Sequence, residues 1–177
     1  DMKIFVPASL DELRRMLHIA VLETRNPVAI CYPSGGEGAY NGCCTSTLVA
    51  PGTDCTVVTY GTLYNNAAEA AAICGKKGVS VELIKLAAID TIDMDAICAS
   101  VQKTGHIIVV EETADHGCIA DAIFAALLSH GIAAKCARRN LGQRFHPQGT
   151  IAQLRTACGL DAESISNLIL EVTEHEA

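Results

Sequence analysis

Tryptophan is absent and aromatic residues make up only 4% of the 177 positions, so any core has to be assembled from Ala, Ile, Val and Leu. No basic run occurs and the net charge is −7, which argues against a nucleic-acid or membrane-surface partner. No apolar stretch approaches the roughly 18 residues needed to span a bilayer. The N-terminus "DMKIFVPAS" lacks a signal-peptide plan, so a soluble, cytoplasmic protein is expected. There is no C-x-x-C pair among nine cysteines, at 31, 43, 44, 55, 74, 98, 118, 136 and 158. Zinc and redox motifs need close, paired spacing, and only Cys43 and Cys44 are adjacent. The expectation is reduced, mostly buried thiols behaving as small apolar residues, with no metal ligand set and no disulfide. G-x-S-x-G, H-E-x-x-H and acidic metal clusters are missing as well, so no catalytic residue is assigned in this chain.

What is present is apolar mass, 50% of the residues, enough for one medium domain or one domain plus part of another. "MKIFV" predicts a strand closed by Pro7. Ser9 and Glu12 have the spacing of a capping box, and Leu10, Leu13, Leu17, Ala20 and Val21 recur at helical spacing, which predicts a helix over 10–24. "PVAICYP" is a second short strand. Residues 33–47 are rich in Gly, Ser and Asn and read as a linker or long crossing loop.

From residue 54 short apolar strands alternate with helices that stop at Gly78, Gly105 and Gly131. A further strand, "IAAKCARR", and two helices around 150–158 and 161–172 follow. That alternation specifies an α/β fold, a mostly parallel sheet with helices on both faces. The division is 1–33, a linker over 34–47, and 48–177.

The first strand-to-helix turn of this sheet, "VVTYGTLYNNA", contains one glycine, Gly61. It has neither the three glycines of a dinucleotide fingerprint nor a Walker lysine. It is a plain connection or a helix N-terminus that accepts an anion. In "HIIVVEETADHGCIADAIF", an apolar run ends in Glu111 and Glu112, with Asp115, His116 and Cys118 close behind. Such a cluster is either reactive or the hand-over from a buried strand to a helix, whose N-terminus stabilises a carboxylate.

Three stretches carry a resemblance. "VTYGT", "KKGVSVELIKL" and "ICASVQKTGHIIVVEE" resemble the C-terminal domain of transketolase-like thiamine diphosphate enzymes. The tail "NLGQRFHPQGTIAQLRTACGLDAESI" resembles the ending of 1-deoxy-D-xylulose-5-phosphate synthases, and "DMKIFVPASLDELRRMLHIAVLETRNPVAICYPSG" the end of their pyrimidine-binding domain. The resemblance implies that residues 1–33 are the last strand–helix–strand of a pyrimidine-binding domain, with residues 48–177 forming the C-terminal domain. It further implies a two-carbon transfer, from pyruvate to glyceraldehyde 3-phosphate in the synthases, with this piece contributing domain packing, a dimer interface and the acceptor side of the site. Thiamine diphosphate and Mg would be held only in the complete enzyme, by N-terminal and pyrimidine-binding domains fused upstream or on a separate chain. This chain alone would bind neither and be inactive; a homodimer or larger assembly is expected.

Where the family places phosphate-binding arginines, this sequence has Cys31 and Ala87. Arginine suits phosphate through its planar, bidentate fork, so the usual phosphosugar is in doubt. Lys85 and Tyr32 are the candidate substrate contacts. Lys85 either supplies one point charge or, more plainly, stands in solvent at a strand end. Glu111, Glu112, His116, Arg144 and His146 are assigned to interface or structure. The rival expectation is a non-catalytic assembly or regulatory domain, or the small subunit of a split transketolase with a different substrate.

Overall fold

The computed structural model describes residues 1–32, 38, 40–42 and 44–174. The three most apolar strands, β4 (Cys55–Tyr60), β5 (Val81–Leu86) and β6 (His106–Val110), lie side by side and parallel. They are covered on both faces, which is why they read as continuous apolar runs rather than alternating ones. β7 (Lys135–Arg139) adds a parallel edge strand, and β3 (Thr47–Ala50) pairs antiparallel with β5 on the opposite edge. The strand order is β3-β5-β4-β6-β7.

Alternate residues of β4 feed two cores, as the two-residue repeat of a strand requires. Cys55 and Val57 pack with Leu63, Ala67, Ala70 and Cys74 of α2 (Leu63–Lys76) and with Ile165 and Ile169 of α6 (Ala162–Val172). Val58 packs on the other face with Ile97 and Val101 of α3 (Met94–Thr104) and with Ile123 and Leu127 of α4 (Ile119–Ser129). Each such fully buried aliphatic side chain contributes about 1.5–3 kcal/mol. With so few aromatics, many small contacts replace a few large ones.

The helix boundaries follow local chemistry. Asp93 caps α3 by accepting from Ala96 N at 3.0 Å, and Gly105 ends it at φ 71°, donating to Val101 O. α5 (Ile151–Cys158) opens with a reciprocal capping box between Thr150 and Gln153 and closes on Gly159. Among the described residues no helix is long and apolar enough to cross a membrane.

The N-terminal segment forms a smaller layer. β1 (Lys3–Phe5) pairs parallel with β2 (Val28–Ile30), joined by α1 (Leu10–His18) and a π-helical stretch, Ile19–Glu23. The expected single helix over 10–24 thus widens in its last turns, where Thr24 N donates five residues back to Ile19 O at 2.9 Å. Thr24 then turns extended, at φ −99° and ψ 130°, and ends it. The free edge of β1 docks on the chain leaving β5: Val6 N donates to Ala87 O at 2.9 Å and Ile89 N to Ile4 O at 3.1 Å. Two features differ from the sequence reading. The stretch taken as linker ends in β3, whose four residues are too short to show a period. The capping box at Ser9 is only half made: Ser9 accepts from Glu12 N, but the Glu12 carboxylate is used elsewhere. Residues 33–37, 39 and 43 of the Gly-rich stretch lie outside the described residues, and with them Cys43.

Candidate functional site at the carboxyl ends of the strands

In an open parallel sheet, ligands settle beyond the carboxyl ends of the strands, where neighbouring strands send their helices to opposite sides. Here that point lies between β4, which leads through α2 towards β5, and β6, which leads through α4 to β7. Four groups of side chains converge on this end of the sheet.

The first joins the N-terminal layer to the sheet. Lys85, on β5, is fully buried, and its ammonium is bonded to the equally buried Glu12 of α1. The solvent position expected for Lys85 is therefore corrected: its apolar stem is enclosed and its charge is neutralised 73 residues away in sequence. Ala8 N donates to the other Glu12 oxygen at 2.7 Å, Ser9 Oγ donates to the Tyr40 carbonyl, and the Tyr40 ring lies 5.0 Å from Lys85 Nζ. Tyr40 in turn meets Tyr64 of α2 edge-on at 4.7 Å. A buried charge pair is tolerated only when both members find partners, and this one does.

The second is the acidic strand end. Glu111 is fully buried and accepts from Ile119 N at 3.0 Å and Ala120 N at 3.1 Å, the first amides of α4. Its carboxylate thus caps a helix whose own N-cap residue, Cys118, makes no side-chain capping bond. Tyr60 Oη donates to the same carboxylate at 3.2 Å; burial, and then the Glu111 charge, push the tyrosine well above its ordinary value. His116 lies exposed in the turn, while Asp115 binds Arg138 at 3.1 Å and Asn140 at 3.2 Å.

The third group lies around a cavity of about 270 Å³ lined by Val6, Cys31, Tyr32, Tyr60, Gly61, Thr62 and Glu112. It joins the N-terminal layer, the β4–α2 turn and the end of β6. Gly61 takes φ 60°, which a side chain would strain. Behind the wall stands Arg155 of α5, with a side chain only 13% exposed. Its Nε donates to Glu112 at 2.7 Å, one terminal nitrogen to Asn66 at 3.2 Å and the other to Thr62 Oγ1 at 2.7 Å. Sequence reasoning did not single out Arg155 or Thr62. The partners are scattered along the chain, and no spacing announces them.

The fourth group anchors the tail. Arg144 donates to Ala157 O at 3.0 Å. His146 Nε2 faces Leu141 O at 2.9 Å and its Nδ1 faces Cys158 Sγ at 3.4 Å, so both residues fix the 140–150 segment against α5. Burial raises the Cys55 thiol to about 12 and the Cys74 thiol to about 11, so at neutral pH both are poor nucleophiles.

A diphosphate with its metal needs oxygen ligands for the metal and several fixed donors for the anion. Among the described residues no group of three His, Cys, Asp or Glu could hold a metal ion. Among the described residues the only charged one lining the cavity is Glu112, an anion. The donor set of the described residues does not fit thiamine diphosphate and Mg.

Comparison with known proteins agrees with the fold. The family model described as transketolase, C-terminal domain, matches residues 45–165. A 1-deoxy-D-xylulose-5-phosphate synthase of Thermomicrobium roseum is 29% identical over 96% of this chain and 28% of its own length. A synthase of Magnetococcus marinus is 31% identical over 97% of this chain and 29% of its own. The chain therefore spans under a third of these relatives. Among solved structures, a split-gene transketolase, described as an inactive beta4 tetramer, superposes with a TM-score of 0.80 at 22% identity, covering 99% of this chain and 59% of the other.

Proposed function

Because the chain belongs to the family of transketolase C-terminal domains, we propose that it works as one part of a thiamine-diphosphate-dependent two-carbon transferase. With pyruvate as donor, the bond between its first two carbons breaks and carbon dioxide leaves. The second carbon bonds to the carbonyl carbon of an aldehyde, whose oxygen takes up a proton. Domains outside these residues would hold the cofactor, which would supply the electron sink for that cleavage. What this chain contributes is packing, an oligomer interface and the acceptor side of the site, with Tyr32 facing the ligand. Lys85, by contrast, acts as a joint between layers. The domains it completes are either fused to it or carried by a separate chain, as the split-gene description of its structural neighbour illustrates.

The observation that supports this reading is the cavity at the carboxyl ends of the strands, walled by Cys31 and Tyr32 on one side and by Gly61, Thr62 and Glu112 on the other. A site shared between two layers has the placement expected of an interdomain acceptor pocket. Combining the chain with the polypeptide that bears the cofactor-binding domains tests it. Transfer from pyruvate or a ketose to an aldehyde is expected only in the combination. Failure of the pair to turn over any donor would leave the non-catalytic assembly role in its place.

A further inference from the structure

We infer that the cavity recognises an uncharged, polyhydroxylated acceptor, an unphosphorylated sugar aldehyde, and disfavours a phosphate ester. The inference rests on the reading of the cavity as the acceptor side of a two-carbon transferase.

The argument is an inventory of donors and acceptors at the wall. Glu112 binds Arg155 through one oxygen, and its second oxygen has no partner among the described residues. Thr62 Oγ1 accepts from Arg155, which leaves the hydroxyl proton of this lining residue available to donate. Tyr60 Oη gives its proton to Glu111 and so offers a lone pair. Tyr32 is 64% exposed, with a hydroxyl able to do either. The wall therefore presents an anionic acceptor, a neutral acceptor and neutral donors, a set that vicinal hydroxyls match because each both donates and accepts.

A phosphate dianion matches poorly. Its oxygens mainly accept, it would meet the Glu112 carboxylate, and its charge needs cations. Among the described lining residues there is no lysine or arginine. Residues 33–44, which follow Tyr32 in the chain, contain neither in sequence. Arg155 is not among the lining residues, and each of its three nitrogens already donates, to Glu112, Asn66 and Thr62. At about 270 Å³ the space is just under the roughly 300 Å³ at which small-molecule sites begin, so it takes a short chain of hydroxylated carbons.

Two measurements decide. In the enzyme assembled with the polypeptide carrying the cofactor-binding domains, and with pyruvate as donor, kcat/KM for D-glyceraldehyde should exceed that for D-glyceraldehyde 3-phosphate about tenfold or more. Equal values, or a preference for the phosphate ester, would overturn the inference. In the 177-residue chain alone, titration with erythritol should shift the backbone amide resonances of Gly61, Thr62 and Glu112, while inorganic phosphate leaves them in place. Shifts caused by phosphate, or none caused by erythritol, would overturn it as well. If no donor is turned over at all, the transferase reading falls, and the titration still decides the ligand class.

Discussion

Two carboxylate–cation pairs stand at the same end of the sheet and differ in what they can do. Glu12–Lys85, between the N-terminal layer and β5, has both side chains at 0% exposure and further partners on the carboxylate. Glu112–Arg155, at the cavity, has side chains 39% and 13% exposed and one carboxylate oxygen unused. The closed pair can only hold two layers together. The open pair positions an acceptor atom towards solvent, where a ligand can compete for it. Charge at a strand end is therefore no guide to function until its exposure is known.

The sharpest way to break this contrast is to strip one partner from each pair. Lys85→Met leaves the Glu12 carboxylate buried without its cation and should cost about 3–5 kcal/mol in urea unfolding. The combination Glu12→Leu with Lys85→Met should recover most of that loss. A single variant within about 1 kcal/mol of the parent would show that the pair is not closed. Glu111→Ala should come next, at about 1–3 kcal/mol, because two buried amides of α4 lose their acceptor. The same replacement frees Tyr60, so its spectroscopic titration should move down towards the ordinary tyrosine range.

Acid stability sharpens the comparison at a smaller scale. On the far side of the sheet, burial opposes ionisation of Glu82, yet hydrogen bonds from Lys103, Ser100 and Gly52 N outweigh it and lower its value below 4.5. Asp161 is lowered in the same way, against burial, by bonds from Ser164. A lowered carboxylate contributes stability above its unfolded value and loses it as pH falls through the folded one. Unfolding free energy should therefore drop as pH falls below about 4.5, and Glu82→Gln should flatten that limb. An unchanged slope would remove Glu82 from the account.

Smaller stability effects are expected at the cavity. Arg155→Met should cost about 1–2 kcal/mol, since its hydrogen bonds to Thr62 and Asn66 are lost while Glu112 keeps its access to water, and should disturb ligand selection by releasing Glu112. Cys31→Arg should leave stability within about 0.5 kcal/mol yet raise kcat/KM for a phosphorylated acceptor in the assembled enzyme. The described residues contain no disulfide. Native alkylation should reach exposed Cys31 well before Cys55 and Cys74, whose thiols burial raises. Denaturing, non-reducing titration should count nine thiols.

The sheet was legible because strands buried on both faces must be continuously apolar, and "TVV", "ELI" and "HIIVV" are close to that. Helix ends were legible where a glycine stops the turn, as at Gly105. β3 was not, since its four residues borrow their register from β5 and carry a shift between Leu48 and Ala50. Nor could Glu12 announce Lys85: a capping-box glutamate and a strand lysine look ordinary until the fold closes the 73 residues between them. Arg155 lies 43 residues from Glu112 and is equally silent. Tyr32 and Glu112 were both picked out in the sequence, but their meeting across one cavity depends on how the N-terminal layer docks.

The central claim is that this chain shapes the acceptor side while the cofactor is held elsewhere, and calorimetry tests it most directly. Thiamine diphosphate with magnesium should give no saturable heat with the 177 residues alone and a saturable one with the combined polypeptides. Saturable binding by this chain by itself would contradict the account.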